Sequence, residues 1–192
     1  VTSSIYESCK YFELFNKTEL KEKCAVITSY NPATKDIALE DIGANTETDK
    51  EYIFKIYSDV LENVDANPNQ TKTETYEDKA KTKFIKAPAK MKLLIVVSKL
   101  LTGFDAPACT YLYIDKRMQD HGLFQAICRV NRLDSDDKQF GYIVDYKKLF
   151  EDVKGAIQIY TSELDTEGFK KEDCEILLQD RLKLSRERLD NA

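Results

Sequence analysis

Four short apolar runs limit what this chain can become. They are Cys24-Ala-Val-Ile-Thr28, Leu93-Leu-Ile-Val-Val97, Thr110-Tyr-Leu-Tyr-Ile114 and Gly141-Tyr-Ile-Val-Asp145. Each is too short for a helix. Runs as continuously hydrophobic as Leu93–Val97 suit strands buried on both faces, as in a parallel sheet. Amphipathic segments separate and flank them. Ser4 to Asn16 places Ile5, Cys9, Phe12 and Phe15 near helical period, behind the capping-box spacing Ser4-x-x-Glu7. From about Lys50, residues Ile53, Ile56, Tyr57, Val60, Leu61 and Val64 make one apolar stripe, broken at Asp65-Ala-Asn-Pro68. Thr73 to Ile85 reads as a weaker helix stopped before Pro88, and Leu123 to Arg132 as another. Leu149, Val153, Ala156, Ile157 and Tyr160 give a helix after the last strand, and Glu172 to Leu189 a charged one beyond it. Strands alternating with helices predict an α/β fold with a parallel sheet flanked by helices. Residues 1–162 form the sheet domain in this reading, with 31–85 a helical and polar excursion. Residues 163–192 begin a C-terminal helical extension.

Composition narrows the function. At 192 residues with 42% hydrophobic residues, the chain can bury a real core. No run approaches the roughly 20 apolar residues that span a bilayer, and no charged-then-apolar leader opens the chain. A cytoplasmic location is expected. The start at Val1 and the polar end at Ala192 fit a piece of a longer protein. The five cysteines (9, 24, 109, 128 and 174) show no zinc or redox spacing, and His121 stands alone, so no metal site is expected. A net charge of −5 argues against a simple basic nucleic-acid module. The average conceals an asymmetry. Residues 86–133 hold eight Lys/Arg against three Asp, while residues 40–82 hold eleven Asp/Glu against five Lys.

Two motifs lie in the basic block. In Gln125-Ala-Ile-Cys-Arg129-Val-Asn-Arg132, a helix turning about 100° per residue puts Gln125, Arg129 and Arg132 within about 60° of one another. Leu123, Ile127 and Val130 fall on the opposite, core-directed face. Within the helix no acid lies three or four residues from either arginine. A guanidinium stays charged and its fork matches phosphate oxygens, so the stripe suits a nucleotide's terminal phosphate. It suits a solvated surface equally well when taken alone. The second motif is Leu100-Leu-Thr-Gly-Phe-Asp-Ala-Pro107, shortly after an expected strand end, where α/β sheets bind ligands. Gly103 permits positive φ or close approach, Thr102 offers a hydroxyl to a nucleic-acid phosphate, and Asp105 could accept from a ribose hydroxyl. A plain loop with an Asx turn before Pro107 also accounts for it.

Taken in order, the segments resemble a known family. Leu94-Ile-Val-Val, Leu100–Pro107, Leu112-Tyr-Ile-Asp115-Lys116, Asp120-His121, Gln125–Arg132 and Gly141-x-Ile-Val-Asp145-Tyr146 are similar to the motor (R) subunit of type I restriction enzymes. Ala25-Val-Ile-Thr-Ser-Tyr30 resembles the preceding part of the same domain, and residues 31–85 carry no recognised motif. The resemblance implies the second RecA-like domain of a superfamily 2 translocase, with motif IV at Cys24–Tyr30, motif V at Leu100–Pro107 and motif VI at Gln125–Arg132. It implies that Arg129 and Arg132 reach the γ-phosphate of ATP across a cleft, that Gln125 orders the cleft, and that Gly103 and Asp105 lie at the nucleotide's edge. Thr28, Ser29 and Thr102 would lie near the DNA backbone. It further implies double-stranded DNA and the methyltransferase (M) and specificity (S) subunits as partners of the parent.

Absences complete the reading. The sequence has no G-x-x-x-x-G-K-[ST] loop and no Asp-Glu pair after an apolar strand to hold Mg²⁺. No nuclease carboxylate-lysine motif stands out. ATP and Mg²⁺ would be held mainly by another domain of the parent, a site-specific deoxyribonuclease, and this chain alone would neither hydrolyse ATP nor cut DNA. The competing reading is a non-enzymatic module that docks partner subunits through its acidic 40–82 segment and C-terminal helix.

Overall fold

The computed structural model describes residues 1–33, 40–118, 120–130, 138, 141–147 and 149. Among these, four helices and four strands follow in the order α1 (Ile5–Phe15), β1 (Cys24–Ile27), α2 (Glu47–Leu61), α3 (Lys72–Lys86), β2 (Leu93–Val96), β3 (Tyr111–Ile114), α4 (Asp120–Val130) and β4 (Tyr142–Asp145). The expected helices after residue 149, and the domain boundary at 162, lie outside the described residues.

Among the described residues every strand pairing is parallel. β1 lies beside β2 with Cys24 opposite Leu93, and β3 beside β4 with Tyr111 opposite Tyr142. Parallel neighbours need long crossovers. Helices α2 and α3 supply one between β1 and β2, and α4 supplies the other between β3 and β4. The two pairs are joined by the start of the chain. Thr2 N–H donates to the Val96 carbonyl at 2.8 Å, and Asp115 N–H donates to the Val1 carbonyl at 2.8 Å. Thr2 and Asp115 form a parallel bridge. Val1–Thr2 thus lies between β2 and the end of β3 and links them through a single bridge, a feature with no signature in the sequence.

β1 is buried along its whole length, as its continuous hydrophobicity requires. Val26 joins Ile5, Cys9, Ile53, Tyr57, Leu61, Val64 and Val97 in a core beneath α1 and α2. Ala25 and Ile27 point the other way, joining Ala80, Met91 and Val96 beside α3. A third cluster forms where Leu123 and Ala126 of α4 meet Ile114, Met118 and Leu149. Each large aliphatic side chain so buried contributes roughly 1.5–3 kcal/mol. β3 departs from the expected buried strand. Its outer residues Tyr111 and Tyr113 are 46% and 44% exposed, since only Leu112 and Ile114 face α4. The tyrosine rings cover one another instead, Tyr111 stacking on Tyr142 with centroids 4.8 Å apart.

Caps set the helix starts. Thr46 with Asp49 and Thr71 with Glu74 form reciprocal capping boxes, which start α2 and α3 slightly before the apolar periodicity does. At α1 the box is only half made. Ser4 Oγ accepts from Glu7 N–H at 3.2 Å, but the Glu7 carboxylate reaches the N–H of Ser3. Gly141 has a packing reason: a Cβ there would stand 2.3 Å from the Val130 carbonyl oxygen.

Candidate nucleotide and nucleic-acid site

The carboxyl ends of β1, β2, β3 and β4 meet along one edge. Lys116, just past β3, donates from Nζ to Ser98 Oγ at 2.9 Å and to the Val97 carbonyl at 3.4 Å, just past β2. Asp115 accepts from Tyr11 Oη at 2.6 Å and pairs with Lys147 Nζ at 2.8 Å, just past β4. The Lys147 and Tyr11 bonds hold the Asp115 carboxyl below its usual range. The same bond helps push the Tyr11 phenol up to about 12.

The segment after β2 is an irregular loop with strained turns. Leu100 has φ +68°, a left-handed value that costs a residue with a Cβ roughly 1–2 kcal/mol. Gly103 has φ +71°, with open space where a Cβ would be. Its glycine is therefore required by backbone conformation and not by crowding. Thr102, Gly103 and Asp105 are exposed, while Ala106 is buried. The Phe104 ring packs near Phe84 of α3, with centroids 6.2 Å apart.

Arg129 ties this loop to α4. Its Nε donates to the Leu101 carbonyl at 3.1 Å and its Nη1 to the Phe104 carbonyl at 3.0 Å. Arg129 of the stripe predicted from sequence is therefore in direct contact with the predicted loop. Gln125 lies one turn before Arg129 on α4, and both are half-buried. Arg132 lies outside the described residues.

The first predicted nucleic-acid segment divides into two. Thr28 is buried, and its hydroxyl pairs with the Tyr57 hydroxyl while accepting from Tyr30 N–H at 3.2 Å. Ser29 is half-buried. Its N–H donates to Glu40 Oε2 at 2.7 Å, and its Oγ accepts from Glu40 N–H at 3.1 Å. The other Glu40 oxygen accepts from the N–H groups of Ser98 and Lys99 at 2.8 and 2.9 Å.

Sequence reasoning missed Glu40 and two lysines. Lys99 Nζ pairs with Glu77 at 2.6 Å, linking the edge to α3. Lys138 is buried and donates from Nζ to the Pro107 carbonyl and, at 2.7 Å, to the Cys109 carbonyl. Glu40 sits in a polar stretch and Lys138 in a charged one, and neither carried a signal. Among the described residues no group of three or more His, Cys, Asp or Glu could hold a metal ion. No helix among them is long and apolar enough to cross a membrane.

Residues 1–148 match the family model described as type I restriction enzyme subunit R domain 3. The chain belongs to this family. A relative, the type I restriction enzyme SauCOLORF180P endonuclease subunit of Staphylococcus aureus, is 29% identical over 168 residues, covering 85% of this chain and 18% of the relative. The type I restriction enzyme HindI endonuclease subunit of Haemophilus influenzae is 46% identical over 74 residues, 38% of this chain and 7% of that protein. A putative type I restriction enzyme MjaVIIP endonuclease subunit of Methanocaldococcus jannaschii is 48% identical over 69 residues, 36% of this chain and 6% of that protein. The chain thus spans less than a fifth of the relatives it matches. Family membership of the R-subunit domain agrees with the resemblance read from the motifs, and the α/β fold with parallel pairing agrees with the fold class.

Proposed function

We propose that this chain is the second RecA-like domain of the ATP-dependent DNA translocase in a type I restriction enzyme. In this reading it supplies half of an ATP site whose phosphate loop and Mg²⁺ ligands belong to another domain. The single observation that carries it is the bonding of Arg129 to the Leu101–Phe104 loop, inside a chain that matches an R-subunit domain over residues 1–148. The contact joins α4 to the loop at the carboxyl edge of the strands, where α/β sheets take their ligands.

The residues present fit a nucleotide's phosphates, being cationic and amide-bearing on one helix face beside an open, glycine-containing loop. Gln125, Arg129 and Arg132 would face the terminal phosphate, and Gly103 and Asp105 the nucleotide's edge. ATP would supply the phosphoryl group whose hydrolysis drives movement. Arginines placed this way neutralise charge that develops on that group, worth on the order of 10³- to 10⁵-fold in rate. Two of the five N–H donors of a guanidinium are committed to the loop in Arg129, so Arg129 would also report the state of the nucleotide to the loop.

Ser29 and Thr102 would stand at the DNA-facing rim, with Thr28 fixing the first rim from the core. Double-stranded DNA, the M subunit and the S subunit would be partners of the parent, which would work in the cytoplasm. The test is DNA-stimulated ATPase of the full-length subunit in its complex. Arg132→Ala should abolish it with complex assembly intact. Normal turnover would overturn the translocase reading.

A further inference from the structure

Three backbone N–H groups at the ends of β1 and β2 point at one place. Ser29 donates from one strand end, and Ser98 and Lys99 donate from the neighbouring one, at 2.7, 2.8 and 2.9 Å to the two oxygens of Glu40. Consecutive N–H groups that converge in this way form a concavity for anions. The ladder between β1 and β2 fixes the spacing of the donors. Their occupant belongs to neither strand. Glu40 comes from the connection between β1 and α2, 58 residues before Ser98.

Two cations stand at the rim. Lys99 supplies an ammonium held by Glu77, and Lys116 an ammonium on Ser98 Oγ. Ser98 is exposed and Ser29, Lys99 and Lys116 are half-buried, so solvent reaches the place. A strand-end nest with lysines beside it suits an oxyanion bearing two unshared oxygens. The Glu40 carboxylate has that form, each oxygen held by a different strand end.

We propose that Glu40 is a built-in competitor at an oxyanion seat made by the N–H groups of Ser29, Ser98 and Lys99, and that a nucleic-acid phosphodiester displaces it. The seat stands on geometry alone, while the choice of a phosphodiester rests on the translocase reading. Charge-assisted bonds to backbone N–H groups are strong, so exchange requires an incoming anion of similar form. Displacement breaks the carboxylate's bonds to both strand ends at once and leaves the Glu40 N–H bond to Ser29 Oγ in place. Engagement of the phosphodiester is thereby coupled to the position of the Glu40 side chain.

The test is the amide ¹⁵N–¹H spectrum of the full 192-residue chain, titrated with inorganic phosphate against chloride at equal ionic strength. In Glu40→Ala the amides of Ser29, Ser98 and Lys99 should shift saturably. In the wild-type chain the apparent affinity should be at least about tenfold weaker, because the seat is already filled. Glu40→Gln, which keeps an acceptor without the charge, should fall between them. A short DNA duplex should move the same three amides in Glu40→Ala at lower concentration than inorganic phosphate or ATP does. If phosphate leaves them unmoved in a folded Glu40→Ala chain, or wild type and variant titrate alike, Glu40 is only a structural tie and the proposal fails. Should Glu40→Ala lose spectral dispersion, Glu40→Gln decides by the same comparison with wild type. A response to ATP and not to DNA would overturn the phosphodiester assignment. The translocase reading fails separately, on the turnover of Arg132→Ala, a residue that is no part of this seat.

Discussion

The Nη1 of Arg129 donates to the carbonyl of Phe104 at 3.0 Å, across 25 residues of chain. A residue that reads from sequence as a phosphate ligand is therefore also a fastener of the loop beside it. Losing both of its carbonyl bonds leaves two acceptors to water or to nothing. Hydrogen bonds to charged groups contribute about 1.5–3 kcal/mol each, net of exchange with water, and less where water can replace them. Arg129→Ala should lower stability by about 2 kcal/mol in urea denaturation and speed amide exchange at residues 101–104. Arg129→Lys cannot reproduce the fork, so it should recover only part of the loss. An unchanged unfolding midpoint in Arg129→Ala would refute the fastening role.

Two glycines should answer differently to the same substitution. Gly103 has φ +71° and open space, so Gly103→Ala should cost about 1 kcal/mol from backbone conformation alone. Gly141 has the Val130 backbone 2.3 Å from its would-be Cβ, so Gly141→Ala must displace main chain and should cost more. Thermal denaturation of the two variants measures the order, and equal losses would contradict it.

Cys9, on the inward face of α1 against α2, is fully buried, and burial pushes its thiol up to about 12. At pH 8 its thiolate is about one part in ten thousand, and the thiolate is the reactive form. Iodoacetamide should leave Cys9 unmodified in the native chain and label it after unfolding, as mass spectrometry can show. The linkage runs the same way. The unfolded thiol ionises near 9 while the folded one does not, so its contribution to stability is present below pH 9 and falls as pH rises above it.

The carboxyl of Asp115 is held low by Lys147 and Tyr11. Its folded pKa lies below the unfolded value of 3.8, so the stability it confers is present above that value and lost as pH falls through the folded one. Asp115→Asn should therefore flatten the acid limb of a stability–pH curve below about pH 4. Identical acid limbs in the two chains would show that the network contributes nothing.

Much of the architecture was legible because it is written locally. Leu93–Val97 and Cys24–Thr28 are strands for reasons contained in their own residues, and Ile53, Tyr57 and Leu61 declare a buried helix face by spacing alone. The Gln125–Arg132 stripe and the Leu100–Pro107 loop were likewise found as words in the sequence, in an order that marked the family. The starts of α2 and α3 are less legible, because Thr46 and Thr71 cap ahead of the periodic residues. At β3 the alternation of tyrosine with aliphatic residues was present, but it was outweighed by the overall hydrophobicity.

The sequence by itself determined the elements, their parallel arrangement and the family, since all of these depend on periodicity and short motifs within a few residues. Only the tertiary structure decided that Val1–Thr2 stands between β2 and β3, that Arg129 grips the Leu101–Phe104 loop, and that Glu40 fills the N–H groups of Ser29, Ser98 and Lys99. Each of these joins segments far apart in the chain, placed together by sheet register and crossover connections. No local propensity encodes such a meeting, because its partners become neighbours only when the cores on both faces of the sheet have packed.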